Sequence, residues 1–174
     1  MIAIFAAMNS EVRACLSALT GANERSIGGF PVIESETALI CQTGLGRQAN
    51  DAANALLAEI SPRVLLSVGT AGGLSLGLRV GDIVFCGTVG HPLELDLVTG
   101  DDGLISSALE TASGVGLRAL RGASVTVDDV VWTPEDKAKL RDRGAPDIVE
   151  MESYWIGKAA AERGLPFLAL RAVA

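Results

Sequence analysis

The residues best suited to chemistry are two acids set one residue apart, in Ile148-Val149-Glu150-Met151-Glu152-Ser153. This stretch passes from an apolar run into an amphipathic helical pattern. Both carboxylates therefore stand at the carboxyl end of a buried strand, where α/β sheets bind ligands. A buried acid is costly unless it is paired or hydrogen-bonded. The plainer alternative is a helix-start pair, favoured by the positive end of the helix dipole. Glu11 follows the first strand by a few residues and falls at the same end of the sheet. Two carboxylates facing one pocket suit general acid-base work when their surroundings separate their pKa values. Glu11 also reads as a solvent-facing acid in a first helical turn. Thr70 lies in Gly69-Thr70-Ala71-Gly72-Gly73, a run that reads as a loop. Its hydroxyl and the nearby amides suit a phosphate, a ribose hydroxyl or a water, or form a simple turn.

Other signals are weaker. Gly44-Leu45-Gly46-Arg47-Gln48-Ala49 fits the dinucleotide pattern G-x-G-x-x-G/A. That pattern needs an acid at the end of the next strand, and Ser67-Val68-Gly69-Thr70 supplies none. A tight turn before a helix is the better reading. His91 is the only histidine, which excludes a multi-histidine metal site, and no nucleophile pairs with it. It reads as a loop residue. Asp128 and Asp129 end a strand and face either the pocket or solvent. Trp132 suits stacking on a ring or packing. Cys15, Cys41 and Cys86 form no C-x-x-C pair and read as reduced, cytosolic thiols. No metal or cofactor is expected.

The elements that must position these groups read as one domain over residues 1–174, at 49% hydrophobic residues. The net charge of −7 argues against nucleic acid or an anionic membrane as partner. The apolar opening Met1–Met8 is too short to span a bilayer and reads as a central strand. A helix follows to about residue 20 with Ser10 as N-cap. Short strands are predicted near 30–35 and 37–43. A clean apolar stripe (Ala49, Ala52, Ala53, Leu56, Leu57, Ile60) makes a helix stopped by Ser61-Pro62. Strands are predicted at 64–68 and 80–86, a loop at 87–103, a short helix from Ile105 to Ala112, and a strand at 117–127. Thr133-Pro134-Glu135-Asp136 starts a helix with Thr133 as cap. A strand at 147–151, a helix through Trp155–Ala160 and a last buried strand at 167–174 complete the chain. Strands alternating with helices predict an α/β fold. A central strand at the chain's end leaves one sheet face poorly covered, which implies a missing helix or coverage by another subunit.

Six stretches in this order resemble the nucleoside phosphorylase/nucleosidase superfamily, especially its methylthioadenosine/S-adenosylhomocysteine nucleosidase branch. They are Ala7–Val12, Gly44–Gly46, Val68–Leu74, Val80–Val84, Val149–Ser153 and Pro166–Val173. The resemblance implies a three-layer α/β fold with a central mixed, mostly parallel sheet, whose final helix is missing here. It implies cleavage of the N-glycosidic bond of a purine nucleoside in a cytoplasmic homo-oligomer. Glu11 then matches the acid that activates water, and Glu152 the acid that grips ribose hydroxyls. Met151 packs beside the sugar, and Glu150, Thr70, Ala71 and Gly72 join the substrate site. Val130 and Val131 match the segment flanking the base, where nucleosidases usually carry an aromatic residue. Gly46, Arg47 and Thr70 are the candidate phosphate set should the nucleophile be phosphate. Phosphorylases often carry an arginine at the position of Ser67, whose identity favours water. The family's leaving-base acid follows the last strand in R-A-x-S-D; here Arg171-Ala172-Val173-Ala174 ends the chain, so that Asp has no counterpart and a truncated or inactive nucleoside-binding domain is the alternative. The short segment after His91, shared in form with relatives labelled hopanoid-associated phosphorylases, implies a wider pocket for the 5′ group.

Overall fold

In the computed structural model, which describes residues 1–174, ten strands and five helices form three layers. Strands β1 (Ile2–Ala6), β2 (Asn23–Ile27), β3 (Phe30–Glu34), β4 (Ala38–Gln42) and β5 (Val64–Gly73) make up the first part of the sheet. Strands β6 (Ile83–Gly90), β7 (Val98–Thr99), β8 (Ala119–Thr126), β9 (Ile148–Glu150) and β10 (Phe167–Val173) complete it. The helices are α1 (Asn9–Leu16), α2 (Gln48–Glu59), α3 (Asp102–Gly114), α4 (Pro134–Asp142) and α5 (Ser153–Ala161). The pairings β1–β4, β1–β5, β5–β10, β6–β8 and β8–β9 are parallel; the other five are antiparallel.

Strand β5 organises the molecule. Val64–Ser67 pairs with β1, Leu65–Ala71 pairs with β10, and Gly72 and Gly73 pair with β9. The strands β5, β10, β6, β8 and β9 thereby close into a ring, with β1 to β4 extending from it as an open wing. Between Ser67 and Gly72, the edge of β5 away from β10 has no strand neighbour. That gap is a switch point, where α/β sheets accept ligands.

One sheet face is deeply covered. The apolar stripe of α2 and the side chains of α5 pack on Ala3, Phe5, Leu65, Ala71 and Cys86, all buried. On the opposite face α1 covers Ala6 and Ile40, and α3 covers Phe85 and Leu168. Ile4, Leu66, Val68 and Leu170, on the sheet between those coverings, stay half-buried. All three cysteines are free, and burial pushes the Cys41 and Cys86 thiols up to about 12. No helix is long and apolar enough to cross a membrane.

Four local expectations need correction. Gly69–Gly73 is not a loop but the second half of β5. A Cβ on Gly69 would lie 2.5 Å from Arg171 Nη1 and 2.7 Å from Glu11 Oε1, so the glycine marks a close approach of charged side chains to a strand. The N-cap of α1 is Met8, not Ser10, which sits inside the helix. The segment 87–103 is not all loop: β6 runs to Gly90, β7 pairs with it, and α3 begins at Asp102. Strand β2, an exposed polar partner of β3, has no counterpart in the expected elements. Thr133 caps α4 as its sequence implies, its hydroxyl accepting the Asp136 amide at 3.1 Å.

Candidate active site

The unpaired edge of β5 opens onto a cavity of about 520 Å³, within the range of small-molecule sites. Ala7, Met8 and Glu11 from the first strand–helix turn form one wall. Thr70–Gly72 forms the floor, Met151 and Glu152 a second wall, and Val127, Val130, Val131 and Trp132 the mouth. A second cavity of about 510 Å³, between the ends of β6 and β8 and the end of α4, includes His91, Glu94 and Arg143 but no pair of facing acids.

Glu11 is held where the sheet leaves a vacancy. As the third residue of α1 its Oε2 reaches back to the amides of Ala7 and Met8, each at 3.1 Å. This is the return arm of a capping box. Its Oε1 accepts the Thr70 amide at 2.9 Å and the Thr70 hydroxyl at 3.2 Å. The Thr70 amide is the ladder group that no strand satisfies, so the carboxylate takes the place of a strand. All four lone-pair sites are used. The Thr70 hydroxyl is the one donor that can rotate away and leave room for a water.

Glu152 precedes α5 at 8% exposure. Its Oε1 accepts the Gly46 amide at 3.0 Å. Burial, only partly offset by that bond and by Arg171, pushes its carboxyl up from 4.5 to about 6. The Gly44-Leu45-Gly46 turn, with φ of +72° and +67° at its glycines, thus aims an amide at a carboxylate rather than at a pyrophosphate. Met151 lies alongside, its Cε 4.0 Å from a Cβ built on Gly46.

Glu150 does different work. Its Oε2 accepts the amides of Glu152 at 3.0 Å and Ser153 at 2.7 Å, together with Arg171 Nη2 at 2.7 Å. Its Oε1 takes the Ser124 and Thr126 hydroxyls. Burial alone would raise this carboxyl, but the Arg171 charge and these bonds outweigh it and hold it below the usual range. Glu150 borders the cavity with its oxygens committed to β8, β10 and the start of α5. Arg171 Nη2 also reaches Ser67 at 2.8 Å and Ser153 at 2.9 Å, and lies 3.7 Å from Glu152. Sequence reasoning did not single out this arginine. A lone cation inside the apolar strand Phe167–Val173 was its signal, since buried charges are paired.

The structure brings Glu11, Thr70, Ala71, Gly72, Val130, Val131, Met151 and Glu152 to one cavity. It does not assemble Gly46, Arg47 and Thr70 into an anion cradle. The Gly46 and Thr70 amides are spent on carboxylates. The exposed Arg47 stacks on Trp155, its Cζ 4.7 Å from the ring centroid, and does not line the cavity. His91 is buried against Tyr154 and Trp155, with Nε2 3.5 Å from Asp128. Trp132 is 81% exposed at the mouth.

This fold and this arrangement of acids place the protein in a known group: the chain belongs to the Phosphorylase superfamily, whose family model matches residues 1–174. It is similar to the 5′-methylthioadenosine/S-adenosylhomocysteine nucleosidase of Actinobacillus succinogenes, with 28% identity over 99% of this chain and 84% of that protein. The crystal structure of the Neisseria meningitidis nucleosidase of that name, in complex with methylthio-immucillin-A, shares 26% identity and a TM-score of 0.92 over 99% of this chain and 84% of its own. The Campylobacter jejuni nucleosidase structure has the same fold at a TM-score of 0.93 and 21% identity, over 99% and 84% of the two chains.

Proposed function

We propose that this protein hydrolyses the N-glycosidic bond of a purine nucleoside, with Glu11 activating water and Glu152 holding the ribose hydroxyls. Cleavage of nucleoside N-glycosidic bonds is the chemistry of the nucleosidases it resembles, and the protein is an enzyme of that class. The observation that carries the residue roles is the pair of acids at one cavity, each fixed by a backbone amide from a different element. As the bond breaks, the sugar becomes oxocarbenium-like, and nearby carboxylates stabilise the growing positive charge. A water that displaces the Thr70 hydroxyl from Glu11 Oε1 would meet a fixed base at hydrogen-bond range. The Glu152 carboxylate, buried and largely desolvated, gains more from two sugar hydroxyls than an exposed acid would. Met151 lies beside the sugar, and Val127, Val130, Val131 and Trp132 offer apolar faces to the base and the 5′ group.

Water is favoured over phosphate because no cation stands at the Glu11 end of the cavity except Arg171, which is already engaged by Glu150. A cytoplasmic setting is supported by three free thiols. Association of copies is supported by the exposed leucines 93, 95 and 97. The deciding experiment is base release from a nucleoside panel with and without inorganic phosphate. Free ribose formed at equal rates in both conditions is the expected result. Ribose-1-phosphate formed only with phosphate would replace hydrolysis by phosphorolysis, and tight binding without turnover would replace it by a binding role.

A further inference from the structure

Glu152 stands in the N-cap position of α5, yet its carboxylate makes no hydrogen bond to its own helix and bonds Gly46 instead. An acid in that position is drawn to the free amides and the positive end of the helix it precedes. Here those amides are already taken. The Ser153 amide donates to Glu150 Oε2 at 2.7 Å, the Tyr154 amide to the Thr126 hydroxyl at 3.0 Å, and the Trp155 amide to the Glu152 carbonyl at 3.1 Å. The middle bond decides the matter, because an N-cap side chain ordinarily accepts from the second or third helical amide. Tyr154 is the second residue of α5, and its amide is claimed from another element. Thr126 ends β8, is fully buried, and pairs across the sheet with Glu150 in β9. Its hydroxyl accepts from Tyr154 and donates to Glu150 Oε1, so its single proton is spent on a carboxylate.

We infer that Thr126 is the positioning residue of the ribose grip: by capping α5 from β8 it leaves the Glu152 carboxylate free to turn outward, to Gly46 and the sugar. The inference rests on the nucleoside reading above and names what gives that site its aim. Thr126 does not line the cavity and acts only through Glu150 and α5. Without its hydroxyl the Tyr154 amide is a buried donor with no partner, which is costly. The side chain in the N-cap position to answer it is Glu152. A carboxylate that turns back to its own helix leaves the Gly46 amide and the ribose. Glu150 is not free to take this duty, since its oxygens already hold Arg171, the Ser124 hydroxyl and the amides of Glu152 and Ser153. The two acids thus divide the work: Glu150 with Thr126 serves the helix, and Glu152 serves the cavity.

The test combines the titration of Glu152 with ribose binding, in the unmodified protein and in Thr126→Val, Thr126→Cys and Thr126→Ser. NMR follows the Glu152 side-chain carboxyl, whose charged neighbours are Arg171, Glu150 and Glu11. In the unmodified protein it should titrate at about 6, raised by burial. In Thr126→Val the Tyr154 amide and the helix dipole should bring it below its ordinary 4.5. Ribose binding is read as affinity for the C-nucleoside counterparts of adenosine and inosine, whose carbon–carbon bond is not hydrolysed, relative to free adenine and hypoxanthine. Thr126→Val should lower that ratio about tenfold, and adding Glu152→Gln should then lower it no further. Thr126→Ser keeps the hydroxyl and should match the unmodified protein in both readings. Thr126→Cys, a weaker donor and acceptor, should fall between them and serves where the valine variant does not fold. A Glu152 titration left at about 6 in the valine and cysteine variants would overturn the inference. So would a serine variant that behaves as valine, or a ratio that Glu152→Gln lowers and Thr126→Val does not. A titration that moves as expected, while Glu152→Gln alone leaves the ratio unchanged, would keep Thr126 as the residue that aims Glu152 and remove the ribose grip from the reading beneath it.

Discussion

The two ends of the cavity are built on opposite terms. At the Thr70 end most polar groups are tied together: Glu11 takes four hydrogen bonds, Glu150 joins three elements, and Arg171 ties Glu150 to two serines. At the Gly72 end there are apolar side chains, an exposed tryptophan and the half-buried Lys137. The first end is tightly specified, so Glu11, Glu150 and Arg171 cannot shift without breaking several bonds. The second is loosely specified and accepts change at little cost in stability. The difference suits an enzyme whose reaction is fixed and whose choice of substrate is open to adjustment.

Substitutions can break this contrast, in descending order of effect. Glu11→Gln removes the proposed base and should lower kcat by about 10³-fold while leaving KM within about threefold. Steady-state kinetics check this, and hydrolysis within tenfold of the original would remove Glu11 from its role. Glu150→Ala leaves Arg171 buried without its principal partner and should lower unfolding stability by about 3 kcal/mol. Urea denaturation measures it, and a loss under 1 kcal/mol would mean that the staple is not what holds this end together.

Glu152→Gln tests one acid in two ways. Its carboxyl is raised to about 6 in the folded chain, so the folded state holds the proton more tightly than the unfolded one. The stability from this group is full below about 4.5 and is lost as pH rises through about 6. At pH 7.5 the glutamine variant should therefore be more stable by about 2 kcal/mol, an advantage that vanishes by pH 4. Ribose binding should fall about tenfold in the variant, and in the unmodified protein as pH drops below about 6. A variant less stable than its parent at pH 7.5 would contradict the burial argument. Trp132→Ala, at the loose end, should change Tm by less than about 2 °C and nucleoside affinity by a few-fold at most. A larger loss of stability would show that the mouth is built as tightly as the floor.

Much of this was legible in the sequence, and the misses have a common cause. The period of α2, the Thr133-Pro134 cap and the apolar run of β10 are local signals and appear where expected. The strand ends that carry Glu11 and Glu152 are enough to bring both acids to one cavity. Gly69–Gly73 looked like a loop because glycine is read as a breaker. Here it is a strand stripped of side chains to admit Arg171, Glu11 and Lys137, and only tertiary neighbours reveal that. Strand β2 escaped because an exposed edge strand carries no apolar period. Glu150 and Glu152 look equivalent in sequence, one residue apart; what separates them is that Glu150 bonds Arg171 at 2.7 Å while Glu152 lies 3.7 Å from it.

The Glu150 staple also has a consequence for motion. The first amides of a helix ordinarily lack partners and trade their hydrogens with solvent quickly. In α5 the amides of Glu152 and Ser153 are bound by a buried carboxylate that is itself locked to Arg171. Opening them means opening the floor of the cavity. The start of α5 should then hold its hydrogens almost as long as the centre of the sheet, exchanging only when the larger unit unfolds.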